Sequence, residues 1–230
     1  MAPEATGTMW SRFNIGPGAG DGEADIEEPT QWRTAEIAIF AAMLKLKIIL
    51  GSSRQGRKGH AVAAWITEAA KAHGAFDVEL LDLREVDLPL LDEPNHPRMR
   101  QYVHDHTKAW SAKIDAADAY IFVMPEYNYG YSAVLKNAID HLFQEWQYKP
   151  LGAVCYGGVS GGLRGLQSLK PTLTAIQLTI AGEVPIPFFQ NFIGDDDVFR
   201  PNEVLTRSVG NMLDGIVRWA GVLAPMRVKA

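Results

Sequence analysis

From Met43 onward the chain alternates short apolar runs with stretches of helical period. Residues 46–50 (Leu46-Lys47-Ile48-Ile49-Leu50) form a strand-like run that stops at Gly51. A helix is predicted over about 59–74, with Val62, Trp65, Ile66, Ala69 and Ala70 on one face. A second strand follows at 78–83, and then an irregular stretch over 86–97 with three prolines. Val103, Thr107, Trp110, Ile114 and Ala117, spaced by four and three, predict a long helix. Residues 119–124 are continuously apolar, as a buried parallel strand requires, and lead to a helix with Leu135, Ala138, Ile139, Leu142 and Phe143 inward. A fourth strand at 151–156 precedes a helix carrying Leu166, Leu169, Leu173, Ile176 and Ile180. A fifth strand around 183–186 is interrupted by proline, which suits an edge, and a last helix covers about 202–221. Five strand–helix units of this kind predict an α/β fold with a doubly wound parallel sheet.

The turn after the first strand reads Gly51-Ser52-Ser53-Arg54-Gln55-Gly56-Arg57-Lys58-Gly59. A strand-to-helix turn aims backbone N–H groups and the positive end of a helix dipole at one point, which suits a phosphate. Ser52 and Ser53 add hydroxyls, and Arg54 and Arg57 add forked, charge-assisted donors. The spacing is neither G-x-G-x-x-G nor the G-K-[ST] of a triphosphate loop. An arginine inside the turn suits a terminal phosphate monoester better than a pyrophosphate. A structural turn with solvated arginines is the other reading, and these residues alone leave it open.

In a doubly wound sheet, ligands bind beyond the carboxyl ends of the strands at a topological switch point. Segments 125–131 and 157–162 should converge there with the first turn. They hold Tyr127, Tyr129, Tyr131, Asn128 and flat glycine backbone, with no acid–base pair, no nucleophile beside a base and no metal cluster. Such walls suit a planar heteroaromatic ring.

The chain has 230 residues, 47% hydrophobic and 21% charged, enough for one domain with a substantial core. No apolar run approaches the ~18 residues of a membrane span, and the start lacks the pattern of a signal peptide. Cys155 is the only cysteine, which excludes a disulfide framework and a cysteine-based metal site. The expectation is a cytoplasmic protein without a membrane partner, and the net charge of −5 argues against nucleic acid. All of that charge lies in residues 1–42, where seven acids face only Arg12 and Arg33. This segment is glycine-rich and aperiodic, so it reads as a disordered tail ahead of a domain at 43–230.

Three segments together resemble the NAD(P)H-dependent FMN reductases of the flavodoxin-like class, which include quinone and azo-dye reductases. They are Gly51-Ser52-Ser53-Arg54-Gln55-Gly56-Arg57; Pro125-Glu126-Tyr127-Asn128 with Leu135-Lys136-Asn137-Ala138-Ile139-Asp140; and Gly157-Gly158 with Gly161-Gly162-Leu163-Arg164. One departure is Ser132, where many relatives carry proline, at a position expected on the rim of the ring pocket. The resemblance implies a flavodoxin-like five-stranded parallel sheet in the order 2-1-3-4-5, with helices on both faces. It implies that Ser52, Arg54, Arg57 and Gly59 form the FMN phosphate site. Pro125, Glu126, Tyr127 and Asn128 would line the ring and ribityl chain, with Gly157, Gly158 and Ser160 at the other flavin edge. For Glu126 a cap or ion-pair role is an equal alternative.

The resemblance further implies NADPH or NADH as hydride donor, a small acceptor (quinone, azo compound, free flavin or metal oxyanion), and a homodimer or a dimer of such dimers. No catalytic side chain is required, because the flavin carries the chemistry. Arg98, Arg100, Lys149 and Arg164 are candidates for a 2′-phosphate. An FMN electron carrier, or a regulatory flavoprotein without nicotinamide turnover, is the alternative. No metal site is expected. His104 and His106 are two apart in a helical pattern, His96 lies among prolines, and Asp195–Asp197 reads as a solvated turn.

Overall fold

The structure is a computed structural model that describes residues 43–227, so the expectation for residues 1–42 lies outside the described residues. Five strands, β1 (Leu44–Leu50), β2 (Phe76–Asp82), β3 (Ala119–Pro125), β4 (Pro150–Tyr156) and β5 (Thr179–Ile186), form one sheet in the order β2-β1-β3-β4-β5. Every pairing is parallel. The helices are α1 (Gly59–His73), α2 (Leu83–Val86), α3 (Asp105–Asp115), α4 (Ala133–Asp140), α5 (Leu163–Ala175) and α6 (Glu203–Leu223).

Strand alternation divides the core into two layers. Leu46, Ile48 and Leu50 of β1, with Ile121 and Val123 of β3, pack under α1 and α6. Ile49, Phe122 and Met124 face the opposite way, onto α3, α4 and α5. Because both faces are covered, β3 and β4 are buried along their whole lengths, which explains their uninterrupted apolar runs. Cys155 is buried in β4, and burial pushes its thiol up to about 12.

Where the elements differ from the sequence expectation, a local cap or turn accounts for it. β2 ends at Asp82 rather than Leu83 because the Asp82 carboxylate accepts from Arg84 N at 3.0 Å and starts the short α2. Val103 stands outside α3, because Glu93 from the irregular loop accepts the Val103 and His104 N–H groups at 2.8 and 3.0 Å. Ile180 belongs to β5, not to the preceding helix, which ends at Ala175. Gln177 then turns the chain with φ 58°. β5 begins four residues earlier than the prolines suggest, and Pro185 is accommodated because β5 is an edge strand.

Candidate functional site

The order of the sheet reverses between β1 and β3, and the exits of β1, β3, β4 and β5 meet above that point. They enclose a cleft of about 320 Å³ lined in part by Arg54, Arg57, Pro125, Glu126, Tyr127, Gly157 and Gly158. All seven are sequence candidates. Ser52 and Gly59 lie beneath the cleft rather than on its wall. A Cβ on Gly59 would stand 2.1 Å from the Tyr156 hydroxyl and 2.8 Å from Ser52 Oγ, so only glycine lets these groups close on the start of α1. Burial pushes the Tyr156 phenol up to about 12, which keeps it a neutral hydroxyl.

The first turn is built around a bond from Arg57 N to Arg54 O at 3.1 Å, with Gly56 at φ 68° in the third position. Its two arginines have separate roles. Arg57 is half-buried, and its guanidinium pairs with both oxygens of Asp82 and donates to the Ser52 carbonyl. Its fork is therefore occupied by these contacts, although the residue lines the cleft. Arg54 is exposed and has no carboxylate partner among the described residues; it makes one long contact to Gln55 O at 3.4 Å.

Helix α1 begins at Lys58–Gly59 without a side-chain cap, so its first N–H groups point into the turn. Ser52 Oγ is fully buried there beside the Tyr156 hydroxyl, although the two do not reach standard hydrogen-bond geometry. An uncapped helix start and a free guanidinium together fit a terminal phosphate group.

The β3 exit is a tight reversal. Tyr127 and Gly130 exchange two backbone bonds of 2.9 Å, and Asn128 and Tyr129 take φ of 49° and 68°. Consecutive positive φ values are those of a type I′ turn. Tyr127 faces the cleft, whereas Asn128 stands at the turn tip outside its lining. Glu126 accepts from Ser160 Oγ at 2.9 Å and from Arg164 N and Gly165 N at 2.9 and 3.2 Å. It thus caps α5, whose own cap residue, Gly162, sits at φ 87° with no side chain to offer. Ser160 reaches the cleft only through that carboxylate. Of the two readings for Glu126, the cap is the one formed here.

Other expectations resolve as follows. Ser132 is not on the rim; it is buried, donates to the Gly51 carbonyl and caps α4, tying the β3 exit to the first turn. Asn137 clamps the irregular loop, accepting from Leu91 N at 3.0 Å and donating to Pro89 O at 2.7 Å. Arg100 and Lys149 line a different cavity, at the amino end of β4. Lys149 Nζ there donates to Ile114 O, Asp115 O and the Tyr120 hydroxyl at 3.0–3.1 Å. Arg98 lies 4.3 Å over the Phe143 ring. Only Arg164 stands near the cleft, 4.3 Å over the Tyr129 ring.

Sequence reasoning missed Tyr156, Lys58 and the β5 exit, where Phe188, Phe189 and Gln190 complete the lining. Phe188 N bonds to Gly158 O at 3.0 Å, which brings this fourth loop in. Its signal was the run Pro185-Ile186-Pro187-Phe188-Phe189 at the carboxyl end of a strand.

Known proteins resemble this chain in sequence and in fold. The chain is 43% identical over 143 residues to an NAD(P)H-dependent FMN reductase of Schizosaccharomyces pombe, covering 61% of this chain and 71% of that one. It is 36% identical over 164 residues to an NAD(P)H-dependent FMN reductase of a Nectria species, covering 68% and 80%. Among solved structures, the flavoenzyme NAD(P)H:(acceptor) oxidoreductase of Paracoccus denitrificans shares the fold. That match has a TM-score of 0.61 and 20% identity, over 79% of this chain and 99% of that one. The model of the NADPH-dependent FMN reductase family matches residues 44–190, which include all four loops of the cleft, and the chain is an oxidoreductase that belongs to this family.

Proposed function

We propose that the cleft holds FMN, with its phosphate at the Ser52–Gly59 turn and its ring between Pro125–Tyr127 and Gly157–Gly158, and that the protein uses NAD(P)H to reduce a small acceptor. The observation that carries this reading is an uncapped helix start at the cleft beside the exposed Arg54 guanidinium, which has no carboxylate partner among the described residues. Bound there, FMN would supply the redox chemistry that links hydride donation by the nicotinamide to reduction of the acceptor.

This chain's residues position that chemistry. The first N–H groups of α1 donate to the phosphate, Arg54 closes over it from solvent, and Ser52, beneath the cleft wall, backs the helix start. Arg57 acts one step back, bracing the turn through Asp82 and the Ser52 carbonyl. Glu126 holds the β3 exit and the start of α5 in register, which sets the width of the ring slot. Tyr127 and Phe188, both partly exposed, flank the opening, and Arg164 is placed to meet a 2′-phosphate of NADPH. Tyr129, Val159 and Phe188 leave large apolar groups exposed around the mouth, which supports a homodimer that buries them. Among the described residues no helix is long and apolar enough to cross a membrane, and we place the enzyme in the cytoplasm. Quinones, azo compounds, flavins and metal oxyanions all suit an open ring face.

The test is retention of flavin by the full chain on gel filtration after incubation with FMN or riboflavin. The reading expects about one FMN per chain and much weaker retention of riboflavin. Equal retention of the two would detach the phosphate from the turn, and retention of neither would reject the site.

A further inference from the structure

Well away from the cleft, the irregular loop, the start of α3 and the end of α4 bring together Asp92, His106 and His141. One ligand-capable atom from each lies within 4.8 Å of the others. His106 Nε2 and Asp92 Oδ1 are already 3.0 Å apart. The contact between those two needs no further explanation. His141 does need one.

The His141 ring is fully buried, and its Nδ1 is 2.9 Å from the Asn137 carbonyl. A carbonyl only accepts, so Nδ1 carries the proton and Nε2 presents a bare lone pair. That Nε2 is buried and has no hydrogen-bond partner among the described residues. The ring lies at 76° to the His106 ring with centroids 6.1 Å apart, and one of its nitrogens is within 4.8 Å of the Asp92 and His106 ligand atoms. A histidine whose proton is fixed on a backbone carbonyl, with the other nitrogen left free, is oriented as metal-bound histidines are.

We propose that Asp92, His106 and His141 bind one divalent metal ion of the zinc class, with water at the remaining position. Two imidazole nitrogens and one carboxylate oxygen are the donor set that such an ion takes. Ligands at zinc distances stand about 3.3 Å from one another in a tetrahedron. The Asp92–His106 pair already meets that spacing, so closure needs only these two partly exposed side chains to settle onto the fixed His141. His104 stacks on His106 at 5.2 Å and 8°, supporting its ring without joining the set.

The site is not part of the cleft. α4 is capped by Ser132, against the first turn, and its eight residues carry the chain about 12 Å away before His141. The ion would instead pin the irregular loop to α3 and α4, adding to the bonds that Asn137 makes to the loop backbone and that the Glu93 carboxylate accepts from the Val103 and His104 N–H groups. The sequence obscured this because His104 and His106 are not both helical; His104 is the extended cap residue of α3.

The experiment is calorimetric titration of the chelator-treated full chain with Zn²⁺ alone, repeated with Co²⁺ to read its visible d–d absorption. The expected result is one saturable site per chain and a Co²⁺ spectrum of low coordination number, with or without flavin. Asp92→Asn and His106→Gln should each weaken binding by more than the roughly 10–100-fold that loss of a ligand's hydrogen-bond partner costs. Both replaced side chains are partly exposed, so the fold should persist. His104→Gln, which removes only a stacking neighbour of His106, should weaken binding far less than either ligand change. No saturable binding, or binding that survives both Asp92→Asn and His106→Gln, would overturn the proposal. So would binding lost in His104→Gln but retained in His106→Gln.

Discussion

Replacing the two arginines of the first turn should give different signatures, although both are charged and three residues apart. Arg54 is exposed and free, so Arg54→Ala removes only what it gives the ligand. A hydrogen bond to a charged group is worth roughly 1.5–3 kcal/mol, so FMN affinity should fall about ten- to a hundredfold. Riboflavin lacks the phosphate and should bind as before, and the melting temperature should not move. Arg57 and Asp82 form a two-pronged pair in which each side chain is only 11–12% exposed. Breaking a buried pair costs about 3–5 kcal/mol, because one charge is left uncompensated. Asp82 keeps the Arg84 N–H, so the lower end applies to Arg57→Ala, about 3 kcal/mol. For a domain of this size that corresponds to a fall in melting temperature of about 6–12 °C. Both flavins should weaken together, and Arg57→Ala/Asp82→Ala should recover most of the loss. The measurements are flavin fluorescence titration with FMN and riboflavin, beside thermal unfolding followed by circular dichroism. If Arg57→Ala lowers the FMN-to-riboflavin ratio at unchanged melting temperature, Arg57 is the phosphate ligand and the reasoning fails. An unchanged ratio in Arg54→Ala, with the protein folded, would fail it equally.

Other outcomes follow from the same contacts. Gly59→Ala places a methyl 2.1 Å from the Tyr156 hydroxyl, an overpacking cost of about 1–3 kcal/mol against a helix-propensity gain of about 1. It should lower the melting temperature and FMN retention, and adding Tyr156→Phe should restore part of both; a higher melting temperature would contradict the packing. Burial pulls Lys149 from 10.5 down to about 8, so between these values the unfolded chain binds more protons and stability rises with pH. Relative to Lys149→Met, the native protein should therefore gain stability from pH 8 to 10, by no more than about 3 kcal/mol, and a flat difference would refute the shift. A chain beginning at Met43 should keep its FMN affinity and melting temperature, because β1 starts at Leu44; a drop of several degrees would show that residues 1–42 stabilise the domain.

How much could be read in advance follows from which interactions are local. Strands β3 and β4 were legible because burial on both faces leaves an uninterrupted apolar run. The turn after β1 was legible because glycine and arginine spacing is a property of consecutive residues. The division of labour between Arg54 and Arg57 was not, because Asp82 lies 25 positions away and reaches Arg57 only through the β1–β2 pairing. Glu126 shows the same limit: its capping role depends on α5 starting at a glycine, and the two segments meet only in the sheet. Phe188 and Phe189 entered the cleft through a backbone bond between loops, which no periodicity announces. The helical reading of His104 and His106 failed because Glu93, ten residues upstream of Val103, sets where α3 begins.

The central claim is that FMN bound in this cleft is reduced by a nicotinamide. The most direct measurement is anaerobic addition of NADPH, and separately NADH, to the FMN-loaded full chain while the visible flavin absorption is recorded. The account predicts rapid bleaching by at least one donor, followed by return of the colour when a quinone is added. Flavin that stays bound and oxidised with both donors would contradict it.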